Sequence, residues 1–249
     1  MFGKKKKTVP FISAVIAAAG EGRRMGGIDK QQVMLLDGMP VIAHSIRQFQ
    51  ECPRIAEIIV VCQEENVADY YHIIRDFDLD KVASVVAGGE ERQSSVFAGI
   101  SACNPDADFY AVHDGARPLV LLEIIESCIS EAIKHGAAAV GVPVKDTIKI
   151  EGKTGFINST VDRSTLRAIQ TPQIFEAKAY HRAMSLAKSR GHTYTDDCQL
   201  MEHAGKDVFI APGSYDNIKI TTPEDIAHAN AILSYRMGGL GMFGQEGYI

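Results

Sequence analysis

Apolar runs and amphipathic stretches alternate along this chain. Strand-like runs occupy residues 11–17, 57–62, 82–87, 109–113 and 137–142. Between them the apolar positions shift to a helical period. From Pro40 to Gln50, Val41, Ile42, Ile46 and Phe49 share one face, and Pro40 suits a first helical turn. Residues Glu64 to Phe77 and Leu121 to His135 read the same way. Such alternation predicts an α/β fold with a mostly parallel sheet covered by helices. Ligands of these folds bind beyond the carboxyl ends of the strands.

Residues 145–175 break the alternation. Thr147 to Ile150, the turn Gly152 to Gly155, and Phe156 to Val161 read as a β-hairpin that no helix covers. An isolated hairpin is marginally stable, so this arm is expected to pack on something, with a second subunit the obvious candidate. Thr222-Pro-Glu-Asp225 is a helix start, with a hydroxyl N-cap, proline at N1 and acids in the first turn. That helix is expected to reach about residue 235. The organisation expected is a basic tail over 1–10, one domain over 11–236 that includes the arm, and a glycine-rich tail over 237–249.

The 249 residues are 46% hydrophobic and carry a net charge of −5. Such a chain can bury a large core, and its charge does not favour nonspecific nucleic-acid binding. The run Lys4 to Lys7 reads as a solvated tail. Phe11 to Ala19 is too short for a membrane span and carries no A-x-A cleavage pattern. The five cysteines form no C-x-x-C pair, as expected of reduced thiols in a cytoplasmic protein.

Candidate chemistry begins where the first strand runs into Gly20-Glu-Gly22-Arg-Arg-Met-Gly-Gly27. Glycines let backbone N–H groups approach an anion, and Arg23, Arg24 and Lys30 add three full charges. That suits a triphosphate. A P-loop is excluded because Ile28 and Asp29 replace its lysine and hydroxyl. A dinucleotide fingerprint is excluded because Met25 replaces the third glycine. After the third strand, Gly88-Gly-Glu-Glu-Arg-Gln-Ser-Ser95 is a second glycine turn opening onto a helix. It can offer N–H groups and hydroxyls to a cytosine edge, or be a plain N-cap by Ser94. After the fourth strand comes Val112-His-Asp-Gly-Ala-Arg-Pro118. There Asp114 can hold Mg²⁺ or a substrate hydroxyl, Arg117 can fork onto a phosphate, and His113 reads as a packed residue rather than a base. Arg163 reads equally as a phosphate ligand or a surface ion pair. Thr195-Asp-Asp197 reads as catalytic carboxylates or, preferably, an N-cap. Local sequence does not single out Lys219.

Taken together, AAAGEGRRMGG…KQ, GGEERQSSV, VHDGARP, PVKDTIK, TVDRSTLRAIQTPQIF, TDD and DNIKIT resemble the 2-C-methyl-D-erythritol 4-phosphate cytidylyltransferase family over roughly residues 11–236. The resemblance implies a Rossmann-like nucleotidyltransferase fold with a mostly parallel twisted sheet and a protruding β-arm. It implies a homodimer joined by that arm, with CTP and a sugar-alcohol phosphate as ligands and neither nucleic acid nor membrane as partner. The implied cofactor is Mg²⁺ or another divalent cation, carried mainly by the CTP phosphates, with Asp114 a possible ligand. Ala18, Ala19, Gly20, Gly22, Arg23, Arg24 and Lys30 would line the triphosphate. Gly89, Glu90 and Ser95 would face the cytidine. Asp114, Arg117, Thr171, Thr195 and Lys219 would contact sugar phosphate or nucleotide. Thr147 and Arg163 would reach it from the partner's arm. Arg24, Lys30, Arg163 and Lys219 are the implied catalytic cations.

The chain departs from the family pattern at three places. Asp29 stands where proline usually precedes the Lys-Gln pair, Gln32 replaces an aromatic residue, and Gly115 takes a position that is often alanine. None removes an implied catalytic residue. The implied reaction needs no strong base, because a phosphate monoester is already anionic near neutral pH. Two alternatives remain at this point, a pentitol-phosphate cytidylyltransferase and an inactive CTP-binding regulator.

Overall fold

A computed structural model describes residues 9–20 and 34–238. Residues 1–8 of the basic tail, 239–249 of the glycine-rich tail, and Gly22, Arg23, Arg24 and Lys30 lie outside the described residues. In chain order the elements are β1 (Ile12–Ala17), β2 (Leu35–Leu36), β3 (Met39–Pro40), α1 (Val41–Glu51), β4 (Glu57–Cys62), α2 (Val67–Asp76), β5 (Val82–Ala87) and α3 (Arg92–Ala102). Then follow β6 (Phe109–Asp114), α4 (Leu122–His135), β7 (Ala137–Pro143), β8 (Lys149–Glu151), β9 (Ile157–Thr160), β10 (Arg167–Glu176), α5 (Ala177–Arg190), α6 (Asp197–His203), β11 (Phe209–Pro212) and α7 (Pro223–Gly238).

Seven strands form the main sheet in the order β11-β7-β10-β6-β1-β4-β5. The expected strands are all present, with shifts of one residue at their ends. Pairs β1–β4, β1–β6, β4–β5 and β7–β11 are parallel. Strand β10 runs antiparallel between β6 and β7, which corrects the expected extent of the arm. Residues 167–176 belong to the central sheet, and the arm proper is the β8–β9 hairpin. Pro172 lies within the register break of the β7–β10 pairing, between Ile169 and Gln173, where its missing N–H interrupts no regular ladder. Pro40 also differs from expectation. It pairs with Leu35, and α1 begins one residue later.

Period-two alternation divides β1 between two cores. Ile12, Ala14 and Ile16 pack with α1, α2 and α4 through Ile42, Phe49, Tyr70 and Ile129. Val15 points the other way, against Val96 and Ile100 of α3 and the cluster around Tyr180 and Met201. A third cluster joins α7 to the rest through Ala229, Ile220, Leu119 and Val41. This last contact positions residues 214–222, which carry Lys219. Helix α4 ends at Gly136, whose φ of +85° and N–H bond to Ala132 O close the last turn.

On the arm, Ile150, Phe156 and Ile157 are 48%, 76% and 67% exposed, so the hairpin leaves an apolar surface uncovered within one chain. Among the described residues, no helix is long and apolar enough to cross a membrane.

Gly99 marks the closest approach of α3 to the sheet. A Cβ there would stand 2.5 Å from Val15 Cγ1 and 2.6 Å from Val61 Cγ2. Replacing a helical glycine by alanine ordinarily stabilises by about 1 kcal/mol, whereas overpacking a filled core costs about 1–3 kcal/mol. Crowding therefore outweighs propensity. Gly99→Ala is expected to lower the urea midpoint, and an unchanged or raised midpoint would show that the layers can separate freely.

Candidate functional site

The loops after β1, β5 and β6 meet at one edge of the sheet. Gly115 N–H donates to Ala17 O at 2.9 Å, Ala18 N–H to Val61 O at 2.7 Å, and Gly88 N–H to Cys62 O at 2.8 Å. A Cβ on Gly88 would come within 2.6 Å of Ala19 Cβ, so glycine is what lets the two loops touch. Ala19 therefore sits beside the second glycine turn.

That turn is largely self-satisfied. Gly89 N–H donates to Ser95 Oγ at 3.1 Å, and Ser95 Oγ donates to Glu91 O at 2.9 Å. The buried Ser95 hydroxyl thus shapes the turn, while Gly89 and Glu90 are exposed. Ser94 is not the N-cap. Glu91 holds that position, and its N–H donates to Ser94 Oγ at 3.1 Å.

The centre of the site is Asp114, the last residue of β6. Lys219 Nζ lies 2.9 Å from its Oδ2 and Arg117 Nε 3.6 Å from the same oxygen; Arg92 Nε lies 3.5 Å from Oδ1. Burial alone would raise the Asp114 carboxyl. Lys219, Arg92 and Arg117 outweigh it and hold the group well below the ordinary carboxylate range. Both oxygens face cations. The observed Asp114 is therefore a counter-ion for its own neighbours and does not fit as a ligand for a further metal. Among the described residues, no group of three His, Cys, Asp or Glu could hold one.

Arg92 also pairs with Asp197, Nη1 to Oδ2 at 2.7 Å, and Tyr180 donates to the other oxygen of Asp197. Burial would lower the Arg92 pKa, but the two carboxylates overcome it and raise it. Burial dominates at Arg117 and lowers its pKa despite Asp114. The guanidinium of Arg117 is anchored by Nη1 on Asn217 O at 2.8 Å. Three cations thus share two carboxylates, which leaves an excess of positive charge. Exposure decides where that excess is available: Lys219 has 40% of its side chain open to solvent and Arg92 29%, against 13% for Arg117.

His113 is fully buried. Burial outweighs the pull of Asp114 and takes its pKa down to about 4, so it is neutral near pH 7 and packed, as expected. Thr171 is buried beside it and does join the cluster.

Thr147 and Arg163, expected to act from a partner's arm, and Thr195 stand apart from this cluster within the single chain. Thr147 and Arg163 lie on the arm, exposed, with Arg163 Nη1 on Lys145 O at 2.9 Å. Thr195 is exposed and bonds Gln199. The N-cap reading of its neighbours holds for one residue: Asp196 caps α6 through Gln199 N, while Asp197 is the buried partner of Arg92. Arg92 and Asn217 are members that sequence reasoning did not single out, and Asp197 enters there only within Thr195-Asp-Asp197, as a carboxylate or an N-cap. A signal for Arg92 was available, since it is a cation directly behind Gly88-Gly-Glu-Glu91 at the start of a helix.

The family model described as 2-C-methyl-D-erythritol 4-phosphate cytidylyltransferase matches residues 12–235. The chain belongs to this family. A relative carrying that name from Caldanaerobacter subterraneus is 46% identical over 223 residues, covering 89% of this chain and 98% of the relative. Another, from Pelotomaculum thermopropionicum, is 41% identical over 233 residues, covering 92% and 97%. Among solved structures, the 4-diphosphocytidyl-2C-methyl-D-erythritol synthase of Anaerococcus prevotii superposes with a TM-score of 0.80 at 32% identity, covering 90% of this chain and 99% of its own. The mostly parallel sheet described above is therefore the family's Rossmann-like nucleotidyltransferase fold.

The carboxylate at the centre makes a signed prediction. The native Asp114 pKa lies below the unfolded value of about 3.9, so its contribution to stability is complete above that value and fades as pH falls through the lower native one. Removing one partner of a buried ion pair costs about 3–5 kcal/mol. Asp114→Asn is expected to lose stability of that order at pH 7 in urea unfolding, and the deficit relative to wild type should shrink as pH drops below about 4. A deficit that does not change between pH 7 and pH 3 would mean the charge is not what matters.

Proposed function

We infer that the chain transfers CMP from CTP to 2-C-methyl-D-erythritol 4-phosphate. The products are 4-diphosphocytidyl-2-C-methyl-D-erythritol and pyrophosphate, on the route to isoprenoid precursors. A phosphate oxygen of the sugar alcohol attacks the α-phosphorus of CTP. The bond from that phosphorus to the bridging oxygen breaks, and pyrophosphate leaves with the electron pair. The observation that carries this reading is the family match along nearly the whole chain, and the cation-rich cluster around Asp114 is chemically suited to it. No base is needed, in keeping with a buried neutral His113.

The chain's own part in this reading is alignment and charge. Preorganised cations that meet developing negative charge are worth about 3–4 kcal/mol each in barrier. Arg24 and Lys30 would take the triphosphate, and Lys219 with Arg117 the sugar phosphate. A divalent cation, Mg²⁺ by preference, would arrive as the counter-ion of CTP and supply further charge neutralisation on its phosphates. Because both Asp114 oxygens face cations, the metal is assigned to the nucleotide and not to that carboxylate. The glycine turn at 88–95 would read the cytosine edge.

The dimer belongs to the same proposal. The uncovered apolar residues Phe156 and Ile157 support a subunit interface along the arm, with Thr147 and Arg163 serving the neighbour's site. The five cysteines are buried and form no disulfide, which accords with a reducing cytoplasm.

Pyrophosphate release tests the reaction. CTP with 2-C-methyl-D-erythritol 4-phosphate is expected to turn over, ribitol 5-phosphate far less. UTP should be about tenfold or more poorer, since each unpaired buried polar group costs about 1–3 kcal/mol. Equal turnover with ribitol 5-phosphate would overturn the substrate, and equal turnover with UTP the cytosine pocket. Mixing an Arg163→Ala chain with a Lys30→Ala chain tests the arm. Subunit exchange should raise activity well above either parent, because each mixed dimer then holds one intact site. No recovery after verified exchange would place Arg163 in its own subunit's site or outside any site.

A further inference from the structure

One buried group near the site has no part in the reaction as described, and its bonds run in a fixed direction. His113 Nε2 lies 3.1 Å from Arg117 O. A carbonyl only accepts, so Nε2 carries the ring proton and the neutral ring leaves Nδ1 bare. Thr171 Oγ1 lies 3.0 Å from Nδ1 and must therefore donate to it. Asp114 N–H in turn donates to Thr171 Oγ1 at 3.0 Å. The chain of bonds begins at the backbone of Asp114 and ends at the backbone of Arg117, clamping both ends of the turn that carries these two side chains.

The same clamp reaches the third member. Asn217 Nδ2 donates to Thr171 O at 2.9 Å, and Asn217 O accepts from Arg117 Nη1 at 2.8 Å. This fixes the segment two residues before Lys219. The Phe49 ring packs on the imidazole with centroids 4.8 Å apart, and Ser45 Oγ donates to Gly115 O at 2.9 Å within the same turn.

The geometry points to His113 as a positioning residue that sets Asp114, Arg117 and Lys219 through the Thr171 hydroxyl. A corollary concerns Thr171. Its one hydroxyl proton is committed to Nδ1, so its side chain has no donor left for a phosphate anion. Thr171 acts on the substrate by holding the cations in place. The consequence for catalysis rests on the proposed reaction; the bond directions do not.

Two kinds of measurement separate these. The first is kinetic. His113→Phe keeps a ring against Phe49 and removes both polar bonds, while Thr171→Val removes the hydroxyl at nearly constant shape. Each is expected to lower kcat/KM for the sugar phosphate by about tenfold or more in an enzyme that still unfolds cooperatively. The double variant should be no worse than the poorer single, because both break one chain of bonds. Thr171→Ser should restore most of the loss. Multiplying effects, or a folded His113→Phe with wild-type kcat/KM, would overturn the proposal. If His113→Phe does not fold, the comparison of Thr171→Val with Thr171→Ser decides alone: equal activity overturns the proposal.

The second is independent of turnover. A histidine ring ¹⁵N spectrum should contain one ring with a bare Nδ1 and a protonated Nε2, lost in His113→Phe or, if that variant does not fold, in His113→Asn. Its Nδ1 signal should move in Thr171→Val. A protonated Nδ1 in that ring would overturn the proposal even in an active enzyme. If the wild type fails to use the sugar phosphate, the proposed reaction falls and this spectrum still tests the clamp.

Discussion

The site depends on one carboxylate being kept charged while nearly buried. Asp114 ends a central strand, and the groups that neutralise it come from three different places: the start of α3, the turn after β6 and the loop before α7. Without the carboxylate, three cations would stand together with little water to screen them. Without the cations, the carboxylate would neutralise by taking a proton. Each charge is tolerable only because the others are there, which is why these distant segments must be brought together at once.

The sheet supplies that convergence. Parallel strands β1, β4 and β6 deliver their loops to one edge, and the antiparallel β10 brings Thr171 alongside Asp114 from the opposite direction. Helix α7 then pins the Lys219 loop, through Ile220 in the third core cluster and through the Arg236–Asp216 contact at 3.3 Å. The result is a set of positive groups graded by exposure. Arg117 is fixed and covered, whereas Lys219 is held at its tip yet open to solvent. A rigid cation at the back and a reachable one in front is an arrangement suited to an incoming anion, because little reorganisation is needed when charge develops.

Much of this was legible in the sequence. Strand positions follow from short apolar runs, and Asp114 and Arg117 are legible because they directly follow one. The order of strands is not encoded in hydrophobic period, so the sequence pattern assigns residues 167–175 to the arm, whereas β10 places them in the central sheet. The pairing of Arg92 with Asp197 escapes for a related reason. Each looks ordinary in its own segment, one as a helix-start cation and the other as half of an N-cap, and only the fold makes them a pair. Lys219 has no local signal at all; it was reached through family resemblance. The glycine loop that first suggested a triphosphate, with Arg24 and Lys30, lies outside the described residues, and its role rests on sequence.

The mutual dependence of these charges can be measured in a double-mutant cycle on urea stability with Asp114→Asn and Lys219→Met. If the carboxylate is held by its cations, Asp114→Asn leaves Lys219 facing like charges, and adding Lys219→Met should relieve part of the loss. The double variant should then be more stable than Asp114→Asn alone, with a coupling of at least about 1 kcal/mol. Strictly additive losses would contradict the account, because they would mean that Asp114 and Lys219 do not depend on each other.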